Sequence, residues 1–133
     1  MDINGKLYKK FVKRQEQYVQ QHGESAFNKQ LSKGKLTARD RIELLFDPDT
    51  FEEIDAFSSP MQVGGEFGKI VEAYGDGVII GHGKIAGRLA FVYAQDFTVM
   101  GGSLGSVHAT KIAKIQDMAL KMGAPVVGLN DSG

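Results

Sequence analysis

No cysteine occurs anywhere in the 133 residues. Disulfides, thiolate catalysis and cysteine-ligated zinc are therefore all excluded. An excess of one charge is equally missing: sixteen basic residues balance sixteen acidic ones. There is no electrostatic case for nucleic acid or an anionic membrane as partner. No apolar run approaches the roughly 18 residues of a membrane span. The start, Met1-Asp2-Ile3-Asn4-Gly5-Lys6, lacks a signal-peptide pattern, so a cytoplasmic protein without membrane contact is the expectation. His22, His82 and His108 are scattered, with no pair at metal-ligand spacing, and no metal site is expected. No internal repeat or low-complexity tract appears.

What is present suits one ordinary domain with a real core: 42% hydrophobic and 24% charged residues. Seventeen glycines, most of them after Gly64, exceed the roughly 7% average and mark tight turns or close backbone approaches. Leu7, Phe11 and Tyr18, with Val12 and Val19, predict an amphipathic helix over residues 4–21, ended by Gly23. Residues 29–35 read as a basic, polar loop. Thr37 and Asp40 form a capping-box-like start to a helix over 38–46, which Asp47-Pro48 stops. Phe51, Ile54 and Phe57 suit a short extended segment. The organisation expected is a helical arm over 1–57, a loop over 58–75 and the main body over 76–133.

The body is organised around one glycine loop. Residues 78–86 and 89–94 predict a hairpin turning near Gly87-Arg88, with Gly81 and Gly83 marking close packing or a bulge. The loop follows as Gln95-Asp96-Phe97-Thr98-Val99-Met100-Gly101-Gly102-Ser103-Leu104-Gly105-Ser106. A helix over 107–122 carries Ile112, Ile115, Met118, Ala119 and Met122 on one stripe, with Lys111 off it, and stops at Gly123 before Pro125. A second apolar run, 126–129, ends in Asn130-Asp131-Ser132-Gly133. Strand, turn, helix, strand is a βαβ unit, and ligands meet such units at the carboxyl ends of the strands. A parallel-type strand needs neighbours on both sides, so the residues are expected to be the N-terminal portion of something larger.

Three chemistries fit the loop. Gly101-Gly102-Ser103-Leu104-Gly105 matches the G-x-S-x-G elbow of a serine hydrolase with Ser103 as nucleophile. Yet the last histidine, His108, stands only five residues on, and no acid–histidine pair follows it. A dinucleotide site could use the glycines with Asp131 as a ribose-binding acid, but the spacing is not G-x-G-x-x-G. The third is an oxyanion or CoA-type site, in which main-chain N–H groups at a helix N-terminus steady a thioester or enolate oxygen, worth roughly 3–4 kcal/mol per donor. Ser103 and Ser106 read as helix caps rather than nucleophiles, and Asp96 as a turn residue. Lys33, Lys35, Arg39 and Arg41 read as a solvated basic face or a subunit contact, with CoA phosphates as the sharper alternative.

The loop, together with Gly123-Ala124-Pro125-Val126-Val127-Gly128-Leu129-Asn130-Asp131-Ser132-Gly133, resembles the biotin-dependent acyl-CoA carboxyltransferases. Within them it is most similar to the propionyl-CoA carboxylase β subunit and the methylmalonyl-CoA decarboxylase α subunit. Gly34-Lys35-Leu36-Thr37-Ala38-Arg39-Asp40-Arg41-Ile42 and Asp76-Gly77-Val78 resemble them too, whereas residues 61–74 depart from the pattern. The absent cysteine separates the chain from the acetyl-CoA carboxylase β subunit of bacteria, which carries a zinc ribbon. The resemblance implies an α/β, crotonase-like superhelix of ββα units, here its incomplete N-terminal portion behind an α-helical arm. It implies carboxyl transfer between carboxybiotin and propionyl-CoA or methylmalonyl-CoA through an enolate, with the decarboxylase running the same chemistry in reverse. Biotin would arrive on a partner carrier protein, a biotin carboxylase subunit would charge it, and the full-length family is a homo-oligomer, a hexamer. On this reading Gly101 and Gly102 supply the backbone oxyanion and acyl pocket. Met100, Ser103, Leu104, Gly105 and His108 line it for the coenzyme A thioester, and the fragment alone would be inactive. A non-catalytic CoA- or nucleotide-binding module is the alternative outside that chemistry.

Overall fold

A computed structural model of the chain describes residues 3–21, 24–59 and 75–133. Among them run α1 (Ile3–Gln21), α2 (Glu24–Leu31), α3 (Ala38–Leu45), β1 (Glu52–Ile54), β2 (Val78–Ile85), β3 (Arg88–Gln95), α4 (Ser106–Met122) and β4 (Val126–Leu129). A short 3₁₀ turn, Met100–Gly102, sits between β3 and α4.

The β2–β3 hairpin is the centre, and it is apolar on both faces. Val78 and Ile80 point to one side and Ile79 to the other, while β3 divides Phe91 from Ala90, Val92 and Ala94. α4 covers the first face with Ile115 and Ala119; α3 covers the second with Ala38, Ile42 and Phe46. β1 pairs antiparallel outside β2, and β4 pairs parallel outside β3, giving the order β1-β2-β3-β4. A hairpin, a helix and a strand parallel to the second hairpin strand form a ββα unit, the repeat of the crotonase-like fold.

The hairpin turn is Ala86-Gly87, both left-handed with φ of 49° and 76°, the geometry whose twist matches paired strands. It lies one residue before the expected Gly87-Arg88. The reason is Asp47, whose carboxylate accepts the N–H groups of Ala86 and Gly87 at 2.9 and 2.8 Å. The glycines of β2 serve close approach: a Cβ at Gly83 would stand 2.7 Å from the Phe46 ring, and one at Gly81 would meet Phe51 at 2.6 Å.

The capping box is present, with Thr37 Oγ1 accepting the Asp40 N–H and Asp40 Oδ2 accepting the Thr37 N–H. The extended segment is β1. Residues 29–31 are helical instead of looped, because α2 carries through Leu31 before the turn at 32–34. α1 matches the expected helix, although Leu7, Tyr8 and Phe11 remain exposed on it. Phe11 meets the Phe57 ring edge-on at 5.8 Å. The stop at Gly23 and most of the loop read over 58–75 lie outside the described residues. Both α3 and β1 fall within the stretch read as an arm, and both pack on the main sheet. Arg39–Glu53 and Lys114–Asp55, each at 2.7 Å, tie β1 and the residue after it to α3 and α4. No helix among the described residues is long and apolar enough to cross a membrane.

The stripe of α4 needs correction at two positions. Met122 is 64% exposed, beyond the last residue packed on the sheet, while Lys111 is 2% exposed. The lysine stem lies in the core and its Nζ donates to the carbonyls of Gly75 and Val78.

Candidate functional site

β3 ends at Gln95, and the loop behind it is built from its own polar groups. Asp96 is buried; its Oδ1 accepts the Thr98 N–H at 2.9 Å and the Thr98 hydroxyl at 2.6 Å, closing the first turn. Met100, Gly101 and Gly102 then follow with φ of 46°, 65° and 70°. Three left-handed residues in a row reverse the chain before α4.

This geometry decides which amides are available. The Gly102 N–H donates to Val99 O at 2.9 Å, and the Ser103 N–H to Met100 O at 3.3 Å. Gly102 is buried against the carbonyl of Asp131, and its missing Cβ is what permits that contact. As an oxyanion donor Gly102 is therefore corrected: its amide is occupied within the loop. The Gly101 N–H has no hydrogen-bond partner among the described residues, and open space surrounds Gly101 where a Cβ would stand. Its carbonyl accepts the Gly133 N–H at 3.1 Å. The turn thus serves as a seat for residues 131–133, which leave β4 at the carboxyl end of the sheet.

Other residues expected at the site divide in the same way. Met100 and Leu104 are exposed beside the turn. Ser103 is exposed, and its hydroxyl donates to Met100 O at 2.7 Å. Gly105 is the N-cap residue of α4 and has no side chain to cap with. Asp76, from the turn before β2, does so instead: its Oδ2 accepts the N–H of His108 in the first turn of α4 at 2.7 Å. A Cβ at Gly105 would stand 3.1 Å from that oxygen, so glycine makes room for the borrowed cap. Neither Ser103 nor Ser106 caps the helix, contrary to expectation.

His108 is fully buried. It meets the site through Gln95, whose Nε2 lies 3.5 Å from its Nε2, and through the main chain of Ser103. Enclosure removes it as a direct substrate contact. Burial pushes its pKa below the ordinary histidine value, against the opposing pull of Asp76. Lys111, in the next turn, is pushed down to about 8, chiefly by desolvation and against the attraction of Glu53, Asp55 and Asp76.

Two of the three chemistries fail on this arrangement. Ser103 Oγ donates into its own loop, and His108 faces Gln95, so the described residues form no nucleophile elbow. The dinucleotide reading needs an open helix N-terminus and a free acid. Asp76 already occupies the former, and Asp131 is paired with Lys35 at 2.9 Å.

Beside the turn lies a cavity of about 280 Å³ lined by Lys29, Gln30, Lys33, Phe97, Thr98, Met100 and Gly101. Nζ of Lys33 and of Lys35 each stands 5.1 Å from the Phe97 ring centroid, within cation–π range. Arg39 and Arg41 do not join this cleft: the first pairs with Glu53, and the second donates to Gln95 O at 2.7 Å. Sequence reasoning missed Asp76, Lys111 and the Phe97 cleft. A helix beginning at a glycine, with no capping side chain of its own, was the available signal for the first.

The sequence profile of the carboxyl transferase domain matches residues 29–133. Over 112 residues the chain is 53% identical to the methylmalonyl-CoA decarboxylase subunit alpha of Veillonella parvula, covering 84% of this chain and 22% of that protein. It is 50% identical over 114 residues to the mitochondrial propionyl-CoA carboxylase beta chain of Homo sapiens, covering 84% and 21%. The hexameric transcarboxylase 12S, solved with methylmalonyl-coenzyme A and methylmalonic acid bound, superposes with a TM-score of 0.84 at 38% identity. That overlap takes in 100% of this chain and 26% of the other. The chain spans about a fifth of the length of the curated relatives it matches. With the ββα unit, the glycine turn and the profile match in agreement, the chain belongs to the carboxyl transferase domain family.

Proposed function

We propose that this chain forms the first wall of the acyl-CoA pocket in a biotin-dependent carboxyltransferase, acting between carboxybiotin and propionyl-CoA or methylmalonyl-CoA. The observation that carries this reading is the cleft of Lys29, Lys33 and Phe97 opening on the Gly101 turn. Two lysines at its rim, with Lys35 beside them, suit the phosphates of coenzyme A, and the Phe97 face suits a planar or apolar part of it. The Gly101 N–H is the donor left for a thioester or enolate oxygen. Gly102 packs against the Asp131 carbonyl, and its N–H is spent on Val99 O rather than offered to a ligand. Transcarboxylase 12S, which superposes over the whole chain, binds methylmalonyl-coenzyme A.

Biotin would supply the carboxyl group from a partner carrier protein charged by a biotin carboxylase subunit. The glycine turn does not fit it: the amides of Gly102 and Ser103 are occupied by Val99 O and Met100 O. No step is assigned to this chain toward biotin. A homo-oligomer and a cytoplasmic setting complete the proposal.

Titration calorimetry tests the pocket. Methylmalonyl-CoA and propionyl-CoA should bind saturably, and more weakly at high salt because phosphate–lysine contacts are screened. Lys33→Glu should weaken binding about tenfold, the scale of one charge reversal near an anion. An acyl-pantetheine without phosphates should bind poorly. Equal binding of that control, or no saturable binding of any acyl-CoA, would overturn the pocket. In the complete subunit with its carrier and carboxylase, failure to move a carboxyl group to or from any acyl-CoA would overturn the enzyme reading.

A further inference from the structure

The Gln95 carboxamide lies between two groups that compete for its oxygen. Its Oε1 accepts the Asp131 N–H at 3.0 Å, and its Nε2 faces Nε2 of His108 at 3.5 Å. With the oxygen committed to Asp131, only the NH2 group is presented to the imidazole. An amide NH2 can donate but not accept. On that contact the facing imidazole nitrogen is the acceptor and the single ring proton sits on Nδ1, which has no hydrogen-bond partner of its own among the described residues.

The ring is fully buried, with Asp76 approaching from the turn before β2 and Lys111 from α4 as its charged neighbours. The main chains of Asp76 and Ser103 lie against it. Charging the ring would put a second N–H on Nε2, pointing at the Gln95 NH2. Rotating the carboxamide to offer its oxygen to His108 would instead turn the NH2 toward the Asp131 N–H. Either way one contact is lost.

We infer that Gln95 is a positioning residue, holding the Asp131 amide only while His108 is neutral with its proton on Nδ1, and releasing residues 131–133 from the Gly101–Gly102 turn when His108 is charged. Burial lowers the histidine pKa, so release belongs below the ordinary histidine range and not at neutral pH. The consequence for ligand binding rests on the acyl-CoA reading. The tautomer and the release do not, because both are read without ligand.

Nitrogen NMR of the imidazole, with amide shifts followed through an acid titration, gives the test. Protonation at Nδ1 is expected at neutral pH, and the Asp131 and Gly133 amides should shift together with His108 as the pH falls. Gln95→Glu offers an acceptor to both neighbours. It should raise the His108 pKa and leave the Asp131 amide in place when the ring charges, a rescue that a merely structural residue would not give. Methylmalonyl-CoA affinity in the unaltered chain should fall about fivefold on charging, the worth of one hydrogen bond, and stay level in Gln95→Glu. A proton on Nε2 at neutral pH, or Asp131 and Gly133 amides indifferent to His108, would overturn the inference without any variant. Methylmalonyl-CoA that fails to bind at any pH would sink the acyl-CoA reading while leaving the NMR result to decide this one.

Discussion

Gly101 and Gly102 have almost the same backbone conformation, with φ of 65° and 70°, but opposite surroundings. Open space surrounds the first, whereas the second lies against the Asp131 carbonyl, with Ser132 Cα 3.3 Å from where a Cβ would stand. Alanine at either position bears the left-handed penalty of about 1–2 kcal/mol. At position 102 the methyl group must also displace backbone, and overpacking of this kind adds roughly 1–3 kcal/mol. Gly102→Ala should therefore destabilise the chain by about 2–5 kcal/mol and Gly101→Ala by about 1–2 kcal/mol. Urea unfolding measures both, read as midpoint shifts at constant m-value. The same comparison has a functional arm. Gly102→Ala should weaken methylmalonyl-CoA binding by unseating residues 131–133, and Gly101→Ala should do so only if its methyl meets the ligand. Equal destabilisation by the two substitutions would refute the claim that the turn is a seat for the chain leaving β4.

Lys111 gives a pH signature. Its pKa is about 8 in the folded chain against 10.5 when exposed, so between those values the unfolded state binds more protons and stability rises with pH. Unfolding curves from pH 7 to 11 should show a gain of about 3 kcal/mol. Lys111→Met should remove that gain, and a flat profile for the unaltered chain would contradict the burial argument. Asp76→Ala strips the cap from α4 and leaves the His108 amide bare. A loss of about 2 kcal/mol is expected by thermal or urea unfolding, and a loss within a few tenths would show that water caps as well.

Much of the fold could be read in advance because its signals are local. Val126–Leu129 is the strand the apolar run outlined. α4 ends at Gly123 in the left-handed conformation, as a glycine before Ala124-Pro125 suggests. Thr37 and Asp40 close their capping box over three residues. What escaped was set by contacts distant in sequence. Lys111 sits off the apolar stripe as a charge, yet the carbonyls of Gly75 and Val78, 36 and 33 residues away, accept its protons and make burial tolerable. The oxyanion role given to Gly102 failed for a related reason. A glycine pair marks a turn, but only the folded chain shows which amide closes it and which is left open. Lys29 and Lys33 gained their place at the Phe97 cleft because α2, too polar to show a helical apolar face, runs to Leu31 before the turn that carries Lys33.

The cap on α4 has a consequence for the order of assembly. A helix normally carries its own starting signal within a residue or two, and can nucleate before the rest of the chain arrives. Here the acceptor for an amide in the first turn comes from 32 residues upstream, at the threshold of β2. The beginning of the crossover is thus completed only after the hairpin has been laid down beside it. The glycine turn, hung between the two, can take its final shape no sooner.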